Sequence, residues 1–228
     1  MEHVLDNPAW NALISGNRNL SCGNDRAMYF SKDVSPFAGL IESSRENFQV
    51  LYEIIPFDGP VGFITPQQMD IPGKWKVSRF IRTLQMVYDD HPGLPETELE
   101  LAPLTGEHVP DMLALTKLTN PGPFAAGTIA FGHYYGVFDR DKLVAMAGQR
   151  LHIFNYAEIS AVCTHPDYAG RGYARQLLLF QIRRIMATGG IPFLHVRHDN
   201  ERAISVYKKL GFSTRKEIYF YILQKVKQ

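Results

Sequence analysis

The sequence predicts a mixed α/β fold, an α+β arrangement of helices on a mixed sheet. Two observations predict it. Between residues 133 and 164 the chain has β-rich runs joined by short turns, as in an antiparallel meander. After Thr164 the apolar residues recur at helical spacing, in two segments separated by one short apolar run. The second half therefore contains strands paired locally, followed by helices that must pack on them.

The first half gives weaker signals. Pro8, shortly after Asp6, predicts a helix with proline in its first turn. Short apolar runs bounded by turn residues predict strands, whereas the segment from Trp75 to Tyr88 fits either a helix or a strand; the predicted strands are 28–30, 50–55 and 61–65.

The acidic segment 89–100, with its prolines, predicts a linker. We therefore expect an N-terminal lobe without a cofactor site at residues 1–95 and a catalytic domain at 96–228.

The second half is predicted element by element. Asn200 is a suitable N-cap and Gly211 a suitable residue after a helix end, so a helix is expected between them. The other predicted elements are a strand at 101–103, a helix at 108–118, a loop at 120–127, strands at 133–138, 143–153 and 158–164, a helix at 171–188, and strands at 192–197 and 216–223.

Composition excludes several classes of function. The chain has 24 Lys and Arg against 23 Asp and Glu, a net charge of +1, which does not favour a nucleic-acid partner. Its 45% hydrophobic residues, with 21% charged residues, argue against global disorder. Two cysteines are too few for a disulfide framework or a cysteine zinc site, so no metal is expected.

Targeting signals are not apparent in the sequence. The first ten residues lack the basic start and apolar run of a signal peptide, and no run approaches the about 20 apolar residues of a membrane span. We therefore expect a cytoplasmic protein without a membrane partner, and nothing in the sequence requires an oligomer.

The most informative segment runs from Val162 to Leu178. A strand ends there, a turn containing Gly170 and Gly172 follows, and a helix begins inside the turn. Glycines open the backbone, and the unpaired N–H groups of a helix N-terminus attract phosphate. Arg171 and Arg175 add positive charge at the rim, so the segment predicts a pyrophosphate site.

Other interpretations of this segment are weaker. The glycines alone would make a tight strand-to-helix turn. A dinucleotide-binding G-x-G-x-x-G needs a third glycine where Arg175 stands, and an acidic residue about 20 positions on, which is missing. The Gly-Lys-Ser/Thr of a nucleoside-triphosphate loop is also absent.

Residues 158–211 resemble the GNAT acyltransferase superfamily. Its coenzyme A motif, Gln/Arg-x-x-Gly-x-Gly/Ala, is similar to the window 169–174, with Ala169 replacing the usual Gln or Arg. The "THPDY" before the window is similar to the family in order and spacing, as is the later series Asn200, Ala203, Tyr207, Leu210, Gly211, Phe212. The GPF at 122–124, together with EISAVCTHP and GRGYA, resembles the FR47-like branch. The resemblance covers residues 99 to 228 and implies the GNAT fold, with a less specific N-terminal GNAT-like lobe.

The resemblance also implies a cofactor and its ligands. The cofactor is acetyl-CoA. The Val162 backbone N–H would contact the thioester carbonyl, and Thr164 the pantetheine chain. The full set of implied cofactor-binding residues is Val162, Thr164, Ala169, Gly170, Arg171, Gly172, Tyr173, Ala174, Arg175 and Asn200.

Acyl transfer to an amine also needs a base and an acid, because an alkyl amine with a pKa of about 10.4 is mostly protonated at neutral pH. The resemblance implies Glu158 as the base, or a water chain in its place; a salt bridge or a solvated strand end is the alternative for Glu158. It implies Tyr207 as the acid that protonates the leaving thiolate, with a core tyrosine as the alternative. Strand alternation puts Glu158, Ser160 and Val162 on one face, opposite Cys163.

Further candidates lie near the expected cleft. His133, His165, His195 and His198 are interpreted as structural residues more readily than as ligands, although His195 and Arg197 share a strand face and either could touch the acceptor. Cys163 is interpreted as a core thiol rather than a nucleophile.

The leading hypothesis is an N-acetyltransferase acting on a primary amine of a small molecule or peptide, by direct attack in a ternary complex. A non-catalytic acyl-CoA-binding module is the alternative, and a nucleotide-dependent oxidoreductase is the third.

Overall fold

The computed structural model describes residues 3–89 and 93–226. Its strands form one mixed sheet of eleven strands among these residues. The strands are β1 (Ser21–Gly23), β2 (Ala27–Phe30), β3 (Phe37–Leu40), β4 (Val61–Thr65), β5 (Trp75–Tyr88), β6 (Ala102–Pro103), β7 (Tyr135–Asp139), β8 (Lys142–Ile153), β9 (Tyr156–Thr164), β10 (Ile191–Arg197) and β11 (Phe212–Lys225).

The described residues contain five α-helices that pack on the sheet: α1 (Pro8–Ile14), α2 (Arg45–Ile54), α3 (Val109–Thr119), α4 (Tyr173–Met186) and α5 (Glu201–Lys209). Short 3-10 turns precede α1 and α3 and connect other elements. Helices α1 and α3 share one apolar cluster, and α4 and α5 share another. On β11, Ile218 packs with α1 and Tyr221 with α2, so α2 lies on the face opposite α1.

The order of strands in the sheet is β1-β2-β3-β4-β11-β5-β10-β9-β8-β7-β6. Strand β5 from the first half of the chain thus lies between β10 and β11 of the second half, antiparallel to both. Each of its neighbours depends on it for backbone hydrogen bonds. The division into residues 1–95 and 96–228 stays a prediction as a statement about domains, but the sheet is continuous across it.

Most of the predicted elements are confirmed within a few residues, and the mixed α/β fold is confirmed. The strand predicted at 50–55 is wrong, because residues 50–54 belong to α2 and Ile55 is the C-cap of that helix. Ser44 caps that helix by accepting a hydrogen bond from the Asn47 amide, and Phe48, Leu51 and Ile55 are buried at helical spacing. The ambiguous segment 75–88 is a strand because β11 pairs with it from end to end and β10 pairs with residues 83–87.

The predicted linker at 89–100 is only partly described. Residues 90–92 lie outside the described residues, and 93–100 contain no helix or strand. In the described part of the chain, none of the helices has the length and apolar character needed to cross a bilayer.

Candidate active site

A cleft opens in the sheet where β9 and β10 separate. These parallel strands are paired only from Tyr156 with Ile191 to Glu158 with Phe193. Strand β9 then continues to Thr164 and β10 to Arg197 without further pairing between them. Because β10 stays bound to β5 up to Arg197, the gap leaves the inner edge of β9 without a strand neighbour among the described residues. Glu158 marks the apex of this cleft.

Strand β9 carries a bulge beside the cleft. Ala161 has φ of 53°, and the register with β8 shifts between the pairs Met146 with Cys163 and Gly148 with Ser160. The predicted alternation is therefore wrong beyond the bulge: Val162 packs with α4, on the face of Ile159, while Cys163 packs with α1 and α3. The extra residue changes the direction of the backbone groups and side chains in the part of β9 that borders the cleft.

The predicted strand-to-helix turn is present at the end of β9. Gly170 and Gly172 both have φ of 83°, a backbone conformation that favours glycine, and a Cβ at either position would meet nothing within 4 Å. Gly172 is the N-cap of α4, and no side chain caps its first turn. The first amides of this helix are thus left for an external acceptor.

Charged and aromatic side chains border the turn. The Arg171 guanidinium lies 4.6 Å from the centre of the Tyr168 ring, and Arg175 is exposed in the first turn of α4. Tyr173 stacks on the same Tyr168 ring at 6.5 Å. Tyr168 in turn donates a hydrogen bond of 2.6 Å to Asp139. The Arg171 guanidinium at the turn is therefore held on an aromatic support.

One polar atom on β9 has no partner. Among the described residues, the Thr164 hydroxyl is the buried side-chain polar atom without a hydrogen bond. A buried hydroxyl without a partner costs free energy unless a ligand satisfies it. Thr164 lies at the end of β9, between the bulge and the glycine turn, where a chain running from the turn into the cleft would pass.

Helix α5 follows β10 and forms the other side of the cleft. The Asn200 side chain accepts a hydrogen bond of 3.2 Å from the Ala203 amide, which confirms it as the N-cap. Tyr207 is partly buried, packs edge-on against Phe212 at 6.1 Å, and shares an apolar cluster with Val162. Burial raises the pKa of Tyr207 to about 12, so its hydroxyl stays protonated at neutral pH.

Glu158 is held by two basic side chains. Its carboxylate accepts hydrogen bonds of 2.9 and 2.6 Å from Arg150 and one of 2.8 Å from His195 Nδ1. The side chain is 1% exposed. Burial alone would raise the pKa of this carboxyl, but the charge of Arg150 and the hydrogen bonds from His195 and Arg150 hold it well below its usual range. Glu158 is therefore an ionised group at neutral pH.

The ion pair extends into a polar row across five strands. Gln85 on β5 accepts from Arg215 Nε, so its amide nitrogen faces His195 Nε2 at 2.9 Å. Arg215 also binds Asp6 next to α1. The Gln85 orientation makes His195 Nε2 an acceptor and Nδ1–H the donor to Glu158.

Sequence reasoning missed the partners of Glu158. One signal for Arg150 was available: it is a charged residue inside the apolar run 143–153, and the next predicted strand carries the acidic residue Glu158. Gln85, Arg215 and Asp6 come from distant parts of the chain, and no local pattern marks them.

The remaining candidates have structural contacts of their own. Burial raises the pKa of the Cys163 thiol to about 11, so it is a protonated core group. A cavity of about 910 Å³, with His133 and His152 in its lining, sits at the C-terminal end of α4, opposite the glycine turn. His165 caps the turn before Ala169, and His198 binds the Arg82 carbonyl.

Comparison with known proteins identifies relatives of this fold and sequence. Residues 134–221 match the family model described as FR47-like protein. A crystal structure of a putative GNAT-family acetyltransferase from Novosphingobium aromaticivorans is 32% identical, covers 99% of this chain and 100% of that chain, and superimposes with a TM-score of 0.91. A GCN5-related N-acetyltransferase from Kribbella flavida, 13% identical over 97% of this chain and 96% of its own, has a TM-score of 0.64 and supports the fold alone.

Curated relatives match shorter stretches. The N-alpha-acetyltransferase RimI of Mycobacterium tuberculosis is 37% identical over 86 residues, which is 35% of this chain and 51% of that protein. An acetyltransferase of Yersinia pestis is 41% identical over 56 residues, 24% of this chain and 39% of its own length. The chain thus spans about half of RimI and less of the Yersinia protein.

Proposed function

Because the chain belongs to the GNAT family of acetyltransferases, we propose that it transfers an acetyl group from acetyl-CoA to a primary amine of a small molecule or peptide. The observation that carries this proposal is the cleft between β9 and β10, which begins at Glu158 and leads to the glycine turn at the start of α4. The amine attacks directly, with both substrates bound, because Cys163 is a buried, protonated thiol and no other acyl carrier is proposed.

The residues present fit the cofactor. The amides at the start of α4, with Arg171 and Arg175 at the rim, are suited to the pyrophosphate. Thr164 has a hydroxyl in need of a partner beside the path of the pantetheine chain. The other proposed contacts come from Val162, Ala169, Gly170, Gly172, Tyr173, Ala174 and Asn200.

Acetyl-CoA supplies an activated thioester, and the chain supplies the groups around it. The Val162 N–H is proposed to donate to the carbonyl oxygen as negative charge develops there. The Tyr207 hydroxyl is proposed to donate its proton to the leaving sulfur, since its raised pKa keeps it in the acid form. The acetyl–sulfur bond breaks, the acetyl–nitrogen bond forms, and the ammonium proton of the acceptor must leave before attack.

The base remains the most constrained part of this scheme. Glu158 is proposed for this role, and its contacts set the condition: taking a proton removes the charge that binds Arg150 and His195, so these hydrogen bonds must weaken or be released. A water chain that bypasses the carboxylate needs no such release. The pH dependence of turnover distinguishes the two, because titration of Glu158 would appear far below neutral pH.

A non-catalytic acyl-CoA-binding module is the second candidate. The observation that favours it is the engagement of both Glu158 oxygens, since Oε1 accepts from Arg150 and His195 and Oε2 accepts from Arg150. The two candidates are separated by thiol release from acetyl-CoA with a panel of amines, followed by product mass. Amine-dependent release supports the enzyme; calorimetric binding of acetyl-CoA without release from any amine supports the binding module.

Replacing Gly172 with aspartate should abolish measurable acetyl-CoA binding while the protein stays folded. Position 172 has φ of 83° and opens onto the start of α4, so the change adds backbone strain and a negative charge at the phosphate site. Isothermal calorimetry on Gly172→Asp measures this. Gly189→Asp, with φ of 75° and an equally open position at the other end of α4, is the matched control and should bind normally. Unchanged affinity in folded Gly172→Asp would refute the site.

A further inference from the structure

Part of strand β5 has a neighbour on one side only. Strand β11 pairs with β5 from Trp75 to Tyr88, interrupted by a register shift at Ser78, but β10 pairs with it only from Thr83 to Val87. In the part of the chain that the structure describes, residues 76–80 therefore form an open strand edge, which we call the free edge of β5. Every one of these residues is exposed. An open edge presents unpaired backbone groups that can accept another strand.

The free edge lies beside the mouth of the proposed active site. The His198 amide donates a hydrogen bond of 3.1 Å to the Arg82 carbonyl, so Arg82 directs its backbone groups to the side of β10. Two residues earlier in the strand, Phe80 directs its amide and carbonyl to the same, now open, side. A strand added there would end beside Arg197. From Phe193 at the apex to Arg197 is four residues, a distance of about 13 Å along the sheet.

The side chains of the free edge are basic and apolar. Lys76 and Arg79 are exposed, and neither has an ion pair among the described residues. Two apolar side chains in the same segment are also exposed, Val77 by 39% and Phe80 by 40%. Antiparallel pairing of two copies of this edge would place cations close to cations, which disfavours self-association. An extended segment with carboxylates at alternate positions is complementary to it.

We propose that the free edge of β5 binds an acidic, extended segment of a polypeptide acceptor as an added strand. Main-chain hydrogen bonds to Phe80 would hold the segment, and its carboxylates would pair with Lys76 and Arg79. The segment then directs its amine towards the gap between β9 and β10. This inference rests on the proposed acetyl transfer and narrows its acceptor to a polypeptide.

The first test measures binding without turnover. The probe is a fluorescent decapeptide with glutamate at alternate positions and a blocked N-terminus, titrated with the full chain by anisotropy. We expect it to bind the wild-type protein and to bind Lys76→Glu/Arg79→Glu at least about tenfold more weakly. The matched control is Arg18→Glu/Lys32→Glu, which changes the net charge equally at exposed positions on the other half of the sheet and should bind as wild type.

The second test concerns the backbone. Phe80→Pro removes the amide that faces the open side, a change that strand edges tolerate. It should weaken peptide binding, whereas Phe80→Ala keeps the amide and should bind more tightly than the proline variant. If Phe80→Pro does not fold, the charge-reversal pair still decides the question.

The outcomes separate this inference from the function it rests on. Equal peptide affinity in wild type and Lys76→Glu/Arg79→Glu overturns the proposal. The same holds if the variant differs from wild type only in its solubility or oligomeric state. In that case Lys76 and Arg79 protect the strand edge against aggregation. Normal acetyl-CoA binding in calorimetry, found together with that result, leaves the acetyltransferase proposal standing. Failure to bind acetyl-CoA refutes the proposed function instead.

Discussion

Replacing Glu158 with glutamine should lower the free energy of unfolding by about 3 to 5 kcal/mol at neutral pH. The substitution keeps the shape of the side chain but removes its charge. Arg150, which is buried beside it, would then be an uncompensated cation, and His195 would lose its ionic acceptor. Chemical denaturation, followed by circular dichroism, measures this difference.

Two further variants show whether the loss comes from the buried pair. Adding Arg150→Met to Glu158→Gln removes the buried cation that has lost its partner, so the double variant should recover part of the lost stability. Glu217→Gln, at the exposed pair with Arg82, is the matched control and should leave stability almost unchanged. If Glu158→Gln unfolds at the same denaturant concentration as wild type, the buried pair does not form.

Lowering the pH should remove the difference in the free energy of unfolding between wild type and Glu158→Gln. The folded-state pKa of Glu158 lies well below its usual range, so its stabilising contribution is complete above the unfolded-state pKa of about 4.3. It is lost progressively as the pH falls below that value. The two denaturation midpoints should therefore converge between pH 4 and strongly acidic conditions, about the range in which the carboxyl titrates.

Replacing Tyr207 with phenylalanine should lower kcat by about 100-fold with a nearly constant KM for acetyl-CoA. The ring still packs against Phe212, so only the proposed proton donor is lost. The effect should sit at the low end for general acid catalysis because a thiol pKa of about 8.5 already makes thiolate a fair leaving group. Steady-state kinetics on an accepted amine measures it.

The matched control for Tyr207 is Tyr29→Phe. Tyr29 is partly buried on β2 and packs edge-on against Phe57, far from the cleft. Its variant should keep the wild-type kcat. If Tyr207→Phe also keeps it while the chemical step limits the rate, Tyr207 is a packing residue and the proton comes from elsewhere.

Local patterns predicted most of the second half correctly. Turn residues and period-two runs placed β7, β8 and β9, and the change to helical spacing placed α4 and α5. The glycine turn was predictable for the same reason, since Gly170, Gly172 and the following helix are adjacent in sequence. The segment 50–55 was misassigned because an apolar run of six residues fits a strand or one face of a helix, and only the Ser44 cap and the packing of Phe48 and Leu51 decide between them.

The bulge at Ala161 illustrates a second limit. Strict alternation put Val162 on the face of Glu158, but the extra residue transfers it to the face of α4. Nothing in the residue types of this strand signals the bulge, which is visible only in the pairing with β8.

By itself, the sequence determined the mixed α/β fold, the order of the helices and strands of the second half, and the turn from Ala169 to Ala174 that opens α4. These features depend on residues close together in the chain. Only the tertiary structure decided that β5 lies between β10 and β11, and that Glu158 is paired with Arg150 and His195. Strand order and buried ion pairs depend on contacts between distant residues, and their free energy comes from burial and pairing that no local pattern records.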